Sequence, residues 1–191
     1  MTNRNARTVL IRRSDRRRVP WTNGAGATEV IATGGGDPPA WRVSVADIGP
    51  GRTAFSSFPG VNRVFTVIGS HGVTLEWSCR TVDVDPLSPF EFDGQLGPDC
   101  VAAGPTNAFN VMVEAATTSA RVEAHHLSGS GVFTDPDAET VFYVHRGRLA
   151  LGDHVAMAGD CLFVDRQSVE ASGTATILAA VITPLAVDQQ V

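Results

Sequence analysis

The chain has 191 residues, 43% of them hydrophobic, with 15 basic side chains against 20 acidic ones and a formal charge of −5. That length suits one large domain or two small ones sharing a core, and the composition is that of a globular protein able to fold without staples. A membrane span of about eighteen apolar residues is missing, as is any lysine for Schiff-base chemistry, and Cys79, Cys100 and Cys161 are too widely spaced for a disulfide scaffold or a Cys-x-x-Cys zinc pair.

In the first 18 residues seven arginines stand against Asp15, giving +6 and leaving −11 for the rest of the chain. No apolar h-region accompanies them, so no signal peptide is expected, and the thiols are read as reduced in a cytoplasmic protein. Nucleic acid is not expected as a partner: no groove-reading motif follows, and the acidic body repels phosphate.

Short β-branched and aromatic runs punctuated by 19 Gly and 11 Pro predict strands almost throughout. In chain order they are Thr8 to Arg12, Ala27 to Thr33, Arg42 to Ile48, Arg63 to Gly69, Val73 to Trp77, Thr81 to Asp85, Val101 to Ala103 and Phe109 to Ala115. They continue with Val122 to Leu127, Val132 to Thr134, Glu139 to Arg146, Leu149 to Leu151, His154 to Ala156, Cys161 to Val164 and Thr176 to Thr183. No segment keeps a 3.6-residue apolar period between caps, so helix is limited to one-turn pieces near Thr53 to Phe58 and Thr106 to Ala108.

The run Val64-Phe65-Thr66-Val67 recurs as Val141-Phe142-Tyr143-Val144, each copy leading to a glycine turn, Gly69 to Gly72 in one and Gly147 in the other. Farther on, Pro89-Phe90-Glu91-Phe92 corresponds to Gly159-Asp160-Cys161-Leu162-Phe163-Val164. This degenerate duplication predicts an all-β bicupin of two stacked cupin-like β-barrels. Residues 1–115 would hold the N-terminal strands and first barrel, and 116–191 the second, in one compact unit with strands shared.

The densest polar stretch is Trp21-Thr22-Asn23-Gly24-Ala25-Gly26-Ala27-Thr28-Glu29. Gly24 and Gly26 allow close backbone approach, while Asn23 can bond a ligand or its own turn. A tight turn feeding a strand and a binding wall are both open to it. Period-two alternation puts Arg42 and Ser44 on one face of their strand. If that face points inward, the arginine needs an anionic partner or ligand, because an unpaired buried charge costs several kcal/mol. Arg63 raises the same question after the turn Phe58-Pro59-Gly60.

Catalytic constellations are sparse. His125 and His126 are adjacent and face opposite ways, while His71, His145 and His154 are isolated, with only the last two placed to converge across a hairpin. No metal and no cofactor is therefore expected. There is no Gly-x-Ser-x-Gly elbow, and Gly24-x-Gly26 lacks both the last glycine and the helix of a dinucleotide fingerprint. The remaining polar set, Asn23, Thr28, Glu29, Arg42, Ser44, Arg63 and Asn110, suits a small molecule.

Four motifs, Pro20-Trp21-x-Asn23-Gly24-x-Gly26-x-Thr28-Glu29, Trp41-Arg42-x-Ser44-x-Ala46, Phe55-Ser56-x-Phe58-Pro59-Gly60-x-x-Arg63 and Phe109-Asn110-Val111-Met112, together resemble the HutD/Ves family of bacterial cupin-like proteins. The resemblance spans about residues 8 to 185. It implies a bicupin, a cytoplasmic bacterial protein associated with histidine utilisation, and a metal-free pocket for a small carboxylate such as urocanate or formylglutamate, in a regulatory role. Thr22 and Ala25 stand where that family usually has lysine and glycine, so ligand identity transfers less firmly than fold. The expected ligand-binding set is Trp21, Asn23, Gly24, Gly26, Thr28, Glu29, Arg42, Ser44, Phe58, Arg63 and Asn110, with no catalytic residues assigned. No membrane partner is expected, and a homodimer is the candidate assembly. An enzyme using Glu29 as general acid or base and a structural bicupin with a vestigial pocket are the rival classes.

Overall fold

The computed structural model describes residues 7–21, 26–133 and 135–186. Among them the chain forms strands β1 to β16, numbered in chain order, and one 3-10 turn at Arg13–Asp15. The two one-turn helices expected from the sequence are absent. Thr53 lies in β5 (Gly51–Ala54) and Thr106 opens β11 (Thr106–Glu114), because inter-strand hydrogen bonding outweighs the weak local preference of a single turn. The fold is all-β, but among the described residues none of the three sheets closes on itself into a barrel.

Two compact units result, one comprising Arg17–Ala120 with Leu185–Val191 and the other Met1–Arg16 with Arg121–Pro184. In the first, a six-stranded antiparallel sheet runs β2 (Arg18–Pro20), β3 (Gly26–Gly34), β4 (Trp41–Ile48), β11, β6 (Val61–Val67), β9 (Phe90–Asp93). A four-stranded sheet runs β5, β10 (Asp99–Ala102), β7 (Val73–Trp77), β8 (Arg80–Val84). Their shared core joins Phe65, Val67 and Phe92 of the larger sheet to Leu75, Cys100 and Ala102 of the smaller. Alternation explains why β4 is buried on both faces: Trp41, Val43 and Val45 fill one, and Ser44, Ala46 and Ile48 the other.

The second unit is a sheet in the order β1 (Thr8–Ile11), β15 (Cys161–Asp165), β13 (Glu139–Leu151), β16 (Val169–Pro184), β12 (Thr118–Phe133), with β14 (His154–Met157) beside β13. Phe142 and Val144 point into its core as Phe65 and Val67 do in the first unit. Leu162 faces Phe142 across the β15–β13 pair as Phe90 faces Phe65 across β9–β6. The two units thus share one cross-strand pairing of this kind.

Gly147 does not turn the chain. Strand β13 runs through it, with a bulge between Val144 and Arg146. A Cβ on Gly147 (φ +83°) would stand 2.1 Å from the Thr174 carbonyl oxygen, so glycine serves close strand approach there. His154 pairs with Leu151 across the hairpin, several residues along the ladder from His145, and the two do not converge.

Beyond the 3-10 turn, Asp160 clasps the N-terminal segment. Its carboxylate accepts from the Arg13 backbone N–H at 3.0 Å, the Met157 N–H at 3.1 Å and Arg12 Nη1 at 2.9 Å. Burial pulls this carboxyl upward, but those hydrogen bonds outweigh it and hold the pKa below its ordinary value.

Candidate functional site

The inner face of the six-stranded sheet is set by register. On β4 the residues Arg42, Ser44, Ala46 and Ile48 share a face. Arg42 stands opposite Met112 and Ser44 opposite Asn110 on β11, while Arg63 and Phe65 of β6 oppose the same Met112 and Asn110 from the other side. Two guanidinium side chains therefore flank one methionine in a single cross-strand row. Thr28 and Val30 of β3 extend the face beyond β4.

This face floors a cavity of about 450 Å³, within the range of small-molecule sites. Trp21, Pro20 and Val19 line one side, and Ala54, Phe55, Ser56 and Phe58 another. Backbone hydrogen bonds from Phe55 N–H to Pro98 O (2.9 Å) and from Phe58 N–H to Gly94 O (2.8 Å) hold that second wall.

Of the residues expected from sequence, Trp21, Thr28, Arg42, Ser44, Phe58, Arg63 and Asn110 line the cavity together. Gly26 does not line it but supports it, since a Cβ there would sit 2.2 Å from the Asp47 carbonyl oxygen and 2.9 Å from the Trp21 ring. Glu29 follows Thr28 in an extended strand, so it faces the other way and is not in the lining. Asn23 and Gly24 lie outside the described residues. Sequence reasoning omitted Phe55 and Met112 from the site. The period-two rule applied to Asn110 would have added Met112.

The polar groups are directional. Trp21 Nε1 donates to Thr28 Oγ1 at 2.7 Å, and Arg63 Nη2 donates to Asn110 Oδ1 at 3.0 Å. Among the described residues, Arg42 Nη2 meets only the Met112 thioether sulfur, at 3.0 Å, a weak acceptor. The buried Nε of both arginines has no hydrogen-bond partner among the described residues. Among the described residues neither arginine has a carboxylate partner. The Arg63 guanidinium lies 5.0 Å from the Phe55 ring centroid and 5.1 Å from that of Phe92. Burial first, and then the positive charge of Arg42, push the Arg63 pKa down to about 10. Behind it the fully buried Cys100 thiol is pushed up to about 12 by burial, against the opposing pull of Arg63.

Among the described residues, no group of three or more His, Cys, Asp and Glu side chains is placed to hold a metal ion. Chemically the arrangement can neutralise and orient an anion, with aromatic rings beside it for an apolar portion.

Fold and cavity define a cupin-like all-β protein with a cationic pocket in its larger unit. The HutD family model matches residues 13–179, and the chain belongs to the HutD family, which is linked to histidine-utilisation genes. An uncharacterized 21.2 kDa protein in the hutC 3′ region of Pseudomonas putida is 34% identical over 124 residues, covering 60% of this chain and 62% of that protein. HutD from Pseudomonas fluorescens, solved in a formate condition, superposes with a TM-score of 0.83 at 29% identity, over 94% of this chain and 100% of that one. YhhW from Escherichia coli, at 11% identity and a TM-score of 0.70 over 94% of this chain and 99% of its own, shares the fold alone.

Proposed function

We propose that this protein is a non-catalytic bicupin that binds a small carboxylate metabolite, of the urocanate or formylglutamate type, and serves a regulatory role in histidine utilisation in the cytoplasm. The observation that carries this reading is the pair Arg42 and Arg63, both facing one cavity with no carboxylate partner among the described residues. Two uncompensated guanidinium groups in a low-dielectric pocket are unfavourable unless an anion joins them. Charge-assisted hydrogen bonds from both, with Asn110 beside Arg63, would hold the carboxylate. Trp21 and Phe58 would pack on its apolar part.

The duplicated pairing of β6 with β9 and β13 with β15 supports the bicupin reading. The enzyme alternative built on Glu29 loses its acid, because that carboxylate points away from the cavity.

Calorimetry of the purified protein with urocanate, formylglutamate and formate tests the proposal. Binding by at least one of them, lost in Arg42→Ala and Arg63→Ala, is expected. Absence of binding by all three, or variants that bind as well as the parent, would sink it.

A further inference from the structure

We infer that the second unit carries a ligand site of its own, for a small organic cation: a primary ammonium group on a short apolar body. The site is a cavity of about 370 Å³, within small-molecule range, and it shares no residue with the arginine-lined cavity of the first unit. Register builds its floor. Thr140 of β13 stands between Val164 of β15 and Val181 of β16, and Phe142 between Leu162 and Ala179, so two cross-strand rows present a buried face that is apolar except for one hydroxyl. Phe133, at the end of β12, adds a wall, its ring meeting that of Phe142 edge-on with centroids 5.0 Å apart. Along β12, alternation puts Arg121, Glu123 and His125 on the face that lines the cavity, and Asp135 joins them from beyond the strand.

The polar groups of this cavity offer acceptors. Arg121 spends Nε on Glu123 Oε1 at 2.9 Å and Nη2 on Asp135 Oδ2 at 3.0 Å, which leaves the second oxygen of each carboxylate to accept. Gln167 gives its amide N–H to Thr8 Oγ1 at 3.2 Å and keeps its oxygen as an acceptor. His125 Nε2 lies 3.3 Å from Glu123 Oε2, yet this buried nitrogen makes no hydrogen bond among the described residues. One guanidinium against two carboxylates leaves the lining with a single net negative charge when His125 is neutral. An ammonium group balances that charge and supplies the donors those oxygens can take. The rings of Phe133 and Phe142 suit an alkyl chain and also attract a cation. A carboxylate, by contrast, would meet like charge from both Glu123 and Asp135.

The test is an NMR titration of the full chain, labelled at valine and methionine methyls, at low salt with n-butylammonium and 1-butanol as probes. Butylammonium is expected to shift the methyls of Val164, Val169 and Val181, to leave that of Met112 in the first cavity unmoved, and to bind about tenfold or more tightly than butanol. Glu123→Gln and Asp135→Asn each remove one charge while keeping an oxygen to accept from Arg121. Both positions are partly exposed, with side-chain exposures of 45% and 26%, so the fold is expected to tolerate them. Weakening of butylammonium by about fivefold or more in either variant, with butanol unchanged, supports the site. No saturable shift, shifts confined to Met112, butanol binding as tightly as butylammonium, or an affinity unmoved in both variants would overturn it. None of these results bears on carboxylate binding in the first unit.

Discussion

Replacing Arg63 by methionine separates a functional arginine from a structural one. Burial lowers its pKa to about 10, which corresponds to roughly 3 kcal/mol disfavouring the buried charged form. Both folded and unfolded states are protonated at neutral pH, so that penalty is present in full there. It would be relieved only as pH rises above about 10, where the folded state releases its proton before the unfolded one does. Against the relief stand two ring contacts, worth roughly 0.5–1 kcal/mol each or more when desolvated, and the donor lost to Asn110, worth about 1–3 kcal/mol. Methionine keeps the apolar stem. The terms nearly cancel, so the unliganded variant should lie within about 1 kcal/mol of the parent. Removing one partner of a buried ion pair, by contrast, costs about 3–5 kcal/mol. Urea unfolding followed by tryptophan fluorescence is the assay, because Trp21, Trp41 and Trp77 all lie in the unit that carries the cavity. Destabilisation by more than about 3 kcal/mol would refute the reasoning and make Arg63 a structural ion.

Gly147→Ala should lower stability by at least about 2 kcal/mol in thermal unfolding, since its Cβ has no room beside Thr174 and its φ is left-handed. Asp160→Asn should weaken the clasp on Arg12 and Arg13 by about 2 kcal/mol. Because the Asp160 pKa is depressed in the folded state, its contribution is present above the ordinary value of 3.8 and lost as pH falls below it. An acid titration by circular dichroism should therefore show a shallower loss in the variant than in the parent. Iodoacetamide under mildly alkaline native conditions should label the exposed Cys79 and spare Cys100 and Cys161, whose buried thiols are pushed up to about 12, with mass spectrometry as the readout. Gly26→Ala should displace Trp21 from its seat and shift its emission.

Much of this was legible in the sequence because strands announce themselves by period two. Placing Arg42 and Ser44 on one face required only alternation, and the motif order brought Asn110 and Arg63 alongside. The same rule, carried from Thr28 to its neighbour, would have removed Glu29 from the site. Barrel closure was not legible, since it depends on which strand edges meet rather than on any local pattern. Gly147 misled for a related reason: a glycine required by a strand passing within contact distance looks, in sequence, like a glycine required by a turn. The strand Arg18–Pro20 was missed because an arginine-rich segment ending in proline has little β-propensity and pairs only as a short sheet edge.

The most direct test of the central claim is a crystal structure of the protein with urocanate or formylglutamate bound. Carboxylate oxygens are expected at about 2.7–2.9 Å from guanidinium nitrogens of Arg42 and Arg63, with Asn110 beside Arg63. A ligand seated elsewhere, or in the cavity with both guanidiniums still unpartnered, would contradict it.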